Sequence, residues 1–239
     1  MRISIHQPQY IPWLGYFFKI LNSDVFILFD TVQYARGKHY GNRNQIKTPQ
    51  GPQWLTVPIL KRSDLIPYSE IMIDESQYWA QKHWRSIDFA YRKAPFFERY
   101  SPNLRELYLG QKWRMLVDFN SAMLQFSLNA LGITTRVIRA SALQVERMNM
   151  ETDEYIFALL KAVDAESYIS GQGAGSLRYI KADEFGARKV RLMFYDFAST
   201  AYPQLWGDFV ADLSVLDILF NRGDQAREIL EQSGKLRPA

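Results

Sequence analysis

Two short β-prone runs, RISI and DVFILFD, fall within the first thirty residues, with the apolar stretch GYFFKILN between them. This strand, helix, strand spacing constrains the fold more than any other feature of the chain. Parallel strands need a crossover connection, and such crossovers are right-handed almost without exception, so the carboxyl ends of both strands reach one edge of one sheet. Between its two aspartates DVFILFD is apolar throughout, as a strand buried on both faces would be. The last third alternates again. TTRVIRAS reads as a strand, TDEYIFALLKAVD as a helix capped by Thr152 or Asp153, ESYIS and VRLMFYDF as strands, and SVLDILFNRGDQAREILEQSG as one or two terminal helices. Ser214 and Asp217 have capping-box spacing, and Asn221 with Gly223 suits a helix end.

Between these parts, residues 76–131 read as helical, in SQYWAQKHWRSIDFAYRKA and QKWRMLVDFNSAMLQFSLNALG, with Gly132 placed for a C-cap. The expected fold is α/β: a mostly parallel, Rossmann-like sheet flanked by helices. It is read as a single domain over residues 1–239, with 76–131 a helical subdomain or insertion.

The opening loop, HQPQYIPWLGY, is unlike an ordinary turn. Gly, Asn, Asp or Ser would turn the chain cheaply, but this segment carries bulky aromatics and a histidine instead. The crossover puts His6 at the end of the first strand and Asp30 at the end of the second, and ligands of open α/β sheets bind at that edge. His6 is the best candidate base, with an unperturbed pKa near neutrality, and Asp30 could orient it. Tyr10, Trp13 and Tyr16 could wall a base or sugar ring, with the prolines fixing their conformation. The competing reading is an aromatic minicore that pins the first strand. His83 sits in an aromatic-rich helical stretch and reads as a packed residue.

Charge is uneven. Residues 1–62 hold eight Lys or Arg against two acids, whereas the chain as a whole is only +4. Such an excess favours an anionic ligand, with nucleotide phosphate ahead of RNA and a solvated basic face as the alternative. In NRNQIK, Arg43 could grip a phosphate through paired hydrogen bonds and Lys47 could add a point charge, while Asn42 and Asn44 equally suit a hairpin turn. QWLTVPI reads as the following strand. Arg36 extends the basic group. In SGQGAG, Ser170, Gly171 and Gly173 follow a strand with the openness that lets backbone amides approach a ligand, but the spacing matches neither a Walker loop nor a dinucleotide fingerprint.

Absence of cysteine removes disulfides, thiolate metal sites and a cysteine nucleophile, and three histidines make an all-histidine metal site improbable. No apolar run is long enough for a membrane span and no secretory signal pattern opens the chain, so a cytoplasmic protein is expected.

HQPQYIPWLGYFFKI, SDVFILFDTVQYARGKHYGNRNQIKT, GPQWLTVPI, YISGQGAG and LSVLDILFNRG together resemble the WbqC-like family of bacterial proteins, over essentially the whole chain. That resemblance implies a role in surface polysaccharide and O-antigen synthesis, with a suggested glycine (aminoacyl) transfer to an amino sugar. The implied partners are a nucleotide-linked amino sugar and an activated amino acid or acyl donor, with a tRNA or carrier protein as possible donor. WLGY (Trp13 to Tyr16) and LFDTVQY (Leu28 to Tyr34) are more faintly similar to the HIGH-type nucleotidyltransferases such as pantothenate synthetase, with Gly15 and Gln33 at matching places. That second likeness implies an ATP and magnesium cofactor, although Trp13 and Tyr16 stand where that family has histidines. The expected catalytic residues are His6, Asp30 and Tyr16. The expected binding residues are Gln7, Tyr10, Trp13, Gly15, Gln33, Arg36, Asn42, Arg43, Asn44, Lys47, Ser170, Gly171 and Gly173. A non-catalytic nucleotide- or glycan-binding protein is the alternative class.

Overall fold

The computed structural model describes residues 1–34, 39–60, 66–147 and 150–239. Strand β1 (Arg2–His6) pairs in parallel with β2 (Val25–Leu28), and helix α1 (Leu14–Leu21) makes the crossover. The expected first unit is therefore present. The hairpin β3 (Arg43–Thr48) and β4 (Gly51–Thr56) pairs only with itself, as a two-stranded sheet. NRNQIK is therefore largely a strand and not a turn: its polar side chains face neighbouring segments, which kept strand alternation out of sight in the sequence.

Helices α2 (Trp79–Tyr91), α3 (Phe97–Leu109) and α4 (Leu116–Ala130) follow. The chain then enters β5 (Arg136–Arg139), α5 (Thr152–Ala162), β6 (Ser167–Ser170), the short α6 (Ala174–Leu177) and α7 (Ala182–Ala187), β7 (Arg191–Phe197), α8 (Val215–Arg222), α9 (Gln225–Gln232) and β8 (Gly234–Pro238). The main sheet has the order β5-β2-β1-β6-β7-β8, parallel except for β8, which runs antiparallel to β7. The fold is thus α/β, as expected. The final strand, GKLRP, was not legible, because a five-residue edge strand without apolar alternation gives no period to read.

Both sheet faces are covered. Ile3, Ile5, Val25 and Ile27 point to the α5 and α7 side, while Phe26 and Leu28 point to a core shared with α1, α2, α3, α4, α8 and α9. This alternation explains why the VFILF between Asp24 and Asp30 is apolar at every position. The Gly132 backbone is left-handed (φ 64°) and its N–H bonds the Asn129 carbonyl, closing α4 as the sequence indicates. Glu151, one residue earlier than expected, caps α5 through a capping box with Glu154. The box expected at Ser214 and Asp217 does not form. Ser214 Oγ has no partner, and Asp217 accepts hydrogen bonds from Tyr91 and Tyr202 (2.9 Å each), so burial against tyrosines has displaced the capping role.

β1 lies between β2 and β6, and the connections leaving these strands run to opposite sides of the sheet. The space beyond the carboxyl ends of β1 and β6 is therefore a topological switch point, where open α/β sheets form a crevice.

Candidate active site

A cavity of about 690 Å³ occupies that position. Its wall includes Ile5, His6 and Gln7 from the end of β1, Trp13 and Lys19 from the loop and α1, Gly171, Gln172 and Gly173 after β6, and Tyr195 and Phe197 on β7. Volume and mixed lining suit a small molecule of cofactor or sugar-nucleotide size. A larger depression of about 780 Å³ runs along the outside of α5, past Asp164, Ala165 and Val190. These residues precede β6 and β7, which places it at the amino-terminal edge of the sheet, away from the ligand-binding edge.

His6 stacks on Tyr16 with ring centroids 4.9 Å apart. Its Nδ1 is buried and has no hydrogen-bond partner. Burial, reinforced by the nearby Lys19 charge, holds the imidazole well below its usual pKa, so the ring is neutral at pH 7. An unpartnered buried nitrogen costs stability, and native folds keep few of them.

Lys19 is the functional candidate that reading the sequence passed over. It is 2% exposed, donates from Nζ to the Ile5 carbonyl (2.7 Å), and burial pulls its pKa down to about 7. At neutral pH a large fraction is therefore an uncharged amine. One signal was available: in LGYFFKIL every other position is apolar or glycine, so this eight-residue helix has no polar face on which a lysine could be solvated.

The remaining expected residues divide sharply. Gln7, Trp13, Gly171 and Gly173 line the cavity together with His6. Ser170 is buried just beneath, at the end of β6. Tyr16 lies under the His6 ring with its hydroxyl donating to the Gln7 carbonyl (3.2 Å), which makes it a support for the base. The Trp13 indole covers Gly15 so closely that an added Cβ would lie 2.3 Å from the ring. Gly15 therefore admits an aromatic side chain, and that space is filled. With an indole and a buried phenol at the positions of the HIGH-type histidines, the site does not fit ATP phosphates held in that family's manner.

Other expectations are corrected. Asp30 does not orient His6: its carboxylate accepts from the Ser141 N–H (2.9 Å) and Ser141 hydroxyl (2.6 Å), on the β5 side. Tyr10 does not wall the cavity. It is fully buried and hydrogen-bonded to His83 Nδ1 (2.8 Å) and the Tyr108 hydroxyl (2.5 Å), so the minicore reading holds for this half of the loop. His83 is packed, as expected, and burial lowers its pKa to about 4.

Asn44 fastens the hairpin to the opening loop by donating to the Ile11 carbonyl (2.8 Å) while its Oδ1 accepts from the adjacent Gln45 N–H (2.8 Å), and Asn42 donates to the Val57 carbonyl (2.8 Å). Lys47 is sealed within the fold and is not open to a phosphate. It is 2% exposed, and Nζ donates to Gln204 Oε1 (3.1 Å) and to the Gly207 and Asp208 carbonyls. Arg43 lies over the Trp54 ring, 3.8 Å from its centroid. Gln33 is exposed and bridges to Pro67. Arg36 lies outside the described residues.

Among the described residues, no group of three or more His, Cys, Asp or Glu is arranged to hold a metal ion, and no helix is long and apolar enough to cross a membrane. Set against known proteins, residues 7–229 match the family model described as "WbqC-like protein family". The chain is 36% identical over 231 residues to the uncharacterized protein Rv1507c of Mycobacterium tuberculosis, covering 96% of this chain and 97% of that protein. No solved structure matches.

Proposed function

Because the chain belongs to the WbqC-like protein family, and because a neutral histidine and a near-neutral lysine share the wall of its switch-point cavity, we propose that it is a transferase. The reaction we infer acylates the amine of a nucleotide-linked amino sugar, with a glycyl or other aminoacyl group as the group transferred, in cytoplasmic steps of surface polysaccharide synthesis.

The observation that carries this reading is the neutral His6 imidazole in the cavity wall, with no hydrogen-bond partner on its Nδ1. An amine can attack an acyl carbonyl only through its lone pair, and the new C–N bond leaves a proton to be removed. The His6 imidazole, neutral and lining the cavity, is suited to accept that proton. Lys19 shares the wall, and its ammonium form can supply a proton to the departing group or steady negative charge developing on the carbonyl oxygen. Both groups lie in a largely apolar cavity where such interactions are strengthened.

The test is mass-spectrometric. The protein is incubated with nucleotide-linked amino sugars and, separately, with glycine plus ATP, glycyl-tRNA or a glycyl thioester. Formation of the amide is expected with one donor. His6→Ala should lower turnover by about 10²- to 10⁴-fold with little change in melting temperature. A variant that melts far below the parent yet turns over normally while folded would remove His6 from the chemistry. Absence of product with every donor favours the binding-protein class.

A further inference from the structure

Residues 1–62 carry a clear excess of cations, but most of those described are already committed. Arg2 pairs with Asp24 at the far end of the sheet, Lys19 bonds Ile5 in the cavity wall, and Lys47 is sealed beneath the loop at 204–208. Arg43 differs. Among the described residues it makes no side-chain hydrogen bond or ion pair, and its Nε is buried with no partner. Its guanidinium carbon sits over the Trp54 indole, 3.8 Å from the ring centroid, and its N–H donors are left unused by the described residues. Trp54 is 40% exposed and contacts Tyr40, 41% exposed, with ring centroids 6.0 Å apart. Tyr40 is also part of the cavity wall. Two exposed rings and an arginine with spare donors thus form a lip continuous with the cavity that holds His6 and Lys19.

Large aromatics exposed side by side, Trp54 on β4 and Tyr40 in the segment leading into β3, cost solvation, and a ring face beside unused guanidinium donors is complementary to a flat ring joined to an anion. We propose that the β3–β4 hairpin carries an outer subsite for a nucleoside diphosphate, its base stacked on Trp54 and Tyr40 and its phosphates held by Arg43, while the sugar end reaches the cavity. This rests on the transferase reading, and it places the nucleotide at the mouth of the cavity, whose lining among the described residues offers no cation except Lys19.

The experiment is calorimetric titration of the full chain with UDP, ADP, GDP, CDP and dTDP, and with uridine and inorganic pyrophosphate. At least one diphosphate should bind. Trp54→Ala should weaken it about tenfold or more, whereas Trp54→Phe, which keeps a stacking face, should stay within a few-fold of the parent. Arg43→Lys should weaken the diphosphate about tenfold and leave uridine unchanged, because only the paired phosphate contact is lost. Melting temperature should change little for Trp54→Phe and Arg43→Lys, since Trp54 is exposed and a lysine keeps the charge and much of the aliphatic stem of the half-buried Arg43. Failure of all five diphosphates to bind, or binding indifferent to both Trp54→Ala and Arg43→Lys, would overturn the subsite. Calorimetry needs no turnover, so a protein that binds through these residues but transfers nothing would keep the subsite and lose the transferase. Equal transfer to a free and a nucleotide-linked amino sugar would do the reverse.

Discussion

Two lysines are buried to the same degree in this molecule, and their surroundings differ completely. Lys47, on the hairpin, has three acceptors, and its charge favours the buried Asp217 carboxylate. Asp217 in turn accepts from Tyr91 and Tyr202, and Tyr91 also accepts from the Lys47 N–H (2.9 Å). Every charge there has an answer. Lys19 has one carbonyl, no carboxylate, and a histidine beside it whose nitrogen lacks a partner. Buried polar groups that are fully bonded fix a structure, while those left short are costly and persist where function uses them. Burial alone does not separate a structural lysine from a reactive one; the count of its partners does.

The largest effect that could break this comparison is on the Lys47 side. Lys47→Ala strands three acceptors and removes a positive charge that offsets part of the burial penalty on the Asp217 carboxylate. It should cost about 3 to 5 kcal/mol in denaturant unfolding, the range for an uncompensated buried charge. A loss under about 1 kcal/mol, near the value of an exposed pair, would show that the network is not the anchor described.

Tyr202→Phe should be the next largest, at about 1.5 to 3 kcal/mol, because it removes one hydrogen bond to a charged group. The matched change on the other side is smaller: Tyr16→Phe gives up one bond to the Gln7 carbonyl and should cost about 0.5 to 1.5 kcal/mol. Thermal or denaturant unfolding of the two variants checks the order, and a reversed order would erase the contrast between the two regions.

The same contrast marks what could be read beforehand. The crossover, the parallel sheet and the position of His6 follow from apolar runs and their spacing, which are local properties. The division of the opening loop does not. Tyr10 and Trp13 are three residues apart in one aromatic segment, yet Tyr10 enters a core made by α2, α3 and α4, and Trp13 folds back over Gly15 to face the cavity. Which way each ring turns depends on segments about a hundred residues distant, such as Tyr108. Asp30 was placed at the correct strand end, but Ser141, from beyond β5, claimed its carboxylate. Lys47 was misread for the same reason, since its acceptors lie near residue 207. Lys19 was legible from its own helix, as a single charge in an apolar turn.

The central claim is that Lys19 is kept short of partners, at a cost to the fold, for the chemistry of the cavity. Its folded pKa of about 7 lies below the ordinary 10.5, so the unfolded chain binds the extra proton between these values and stability must rise with pH across that window. Comparing wild type with Lys19→Met by denaturant unfolding from pH 7 to 10.5, with turnover measured on the same preparations, tests this most directly. The account predicts a variant at least as stable as wild type at pH 7, a wild type that gains on it as pH rises towards 10.5, and turnover reduced about 10²-fold or more. A variant less stable at pH 7 whose deficit does not change with pH, or one that retains full turnover, would contradict it.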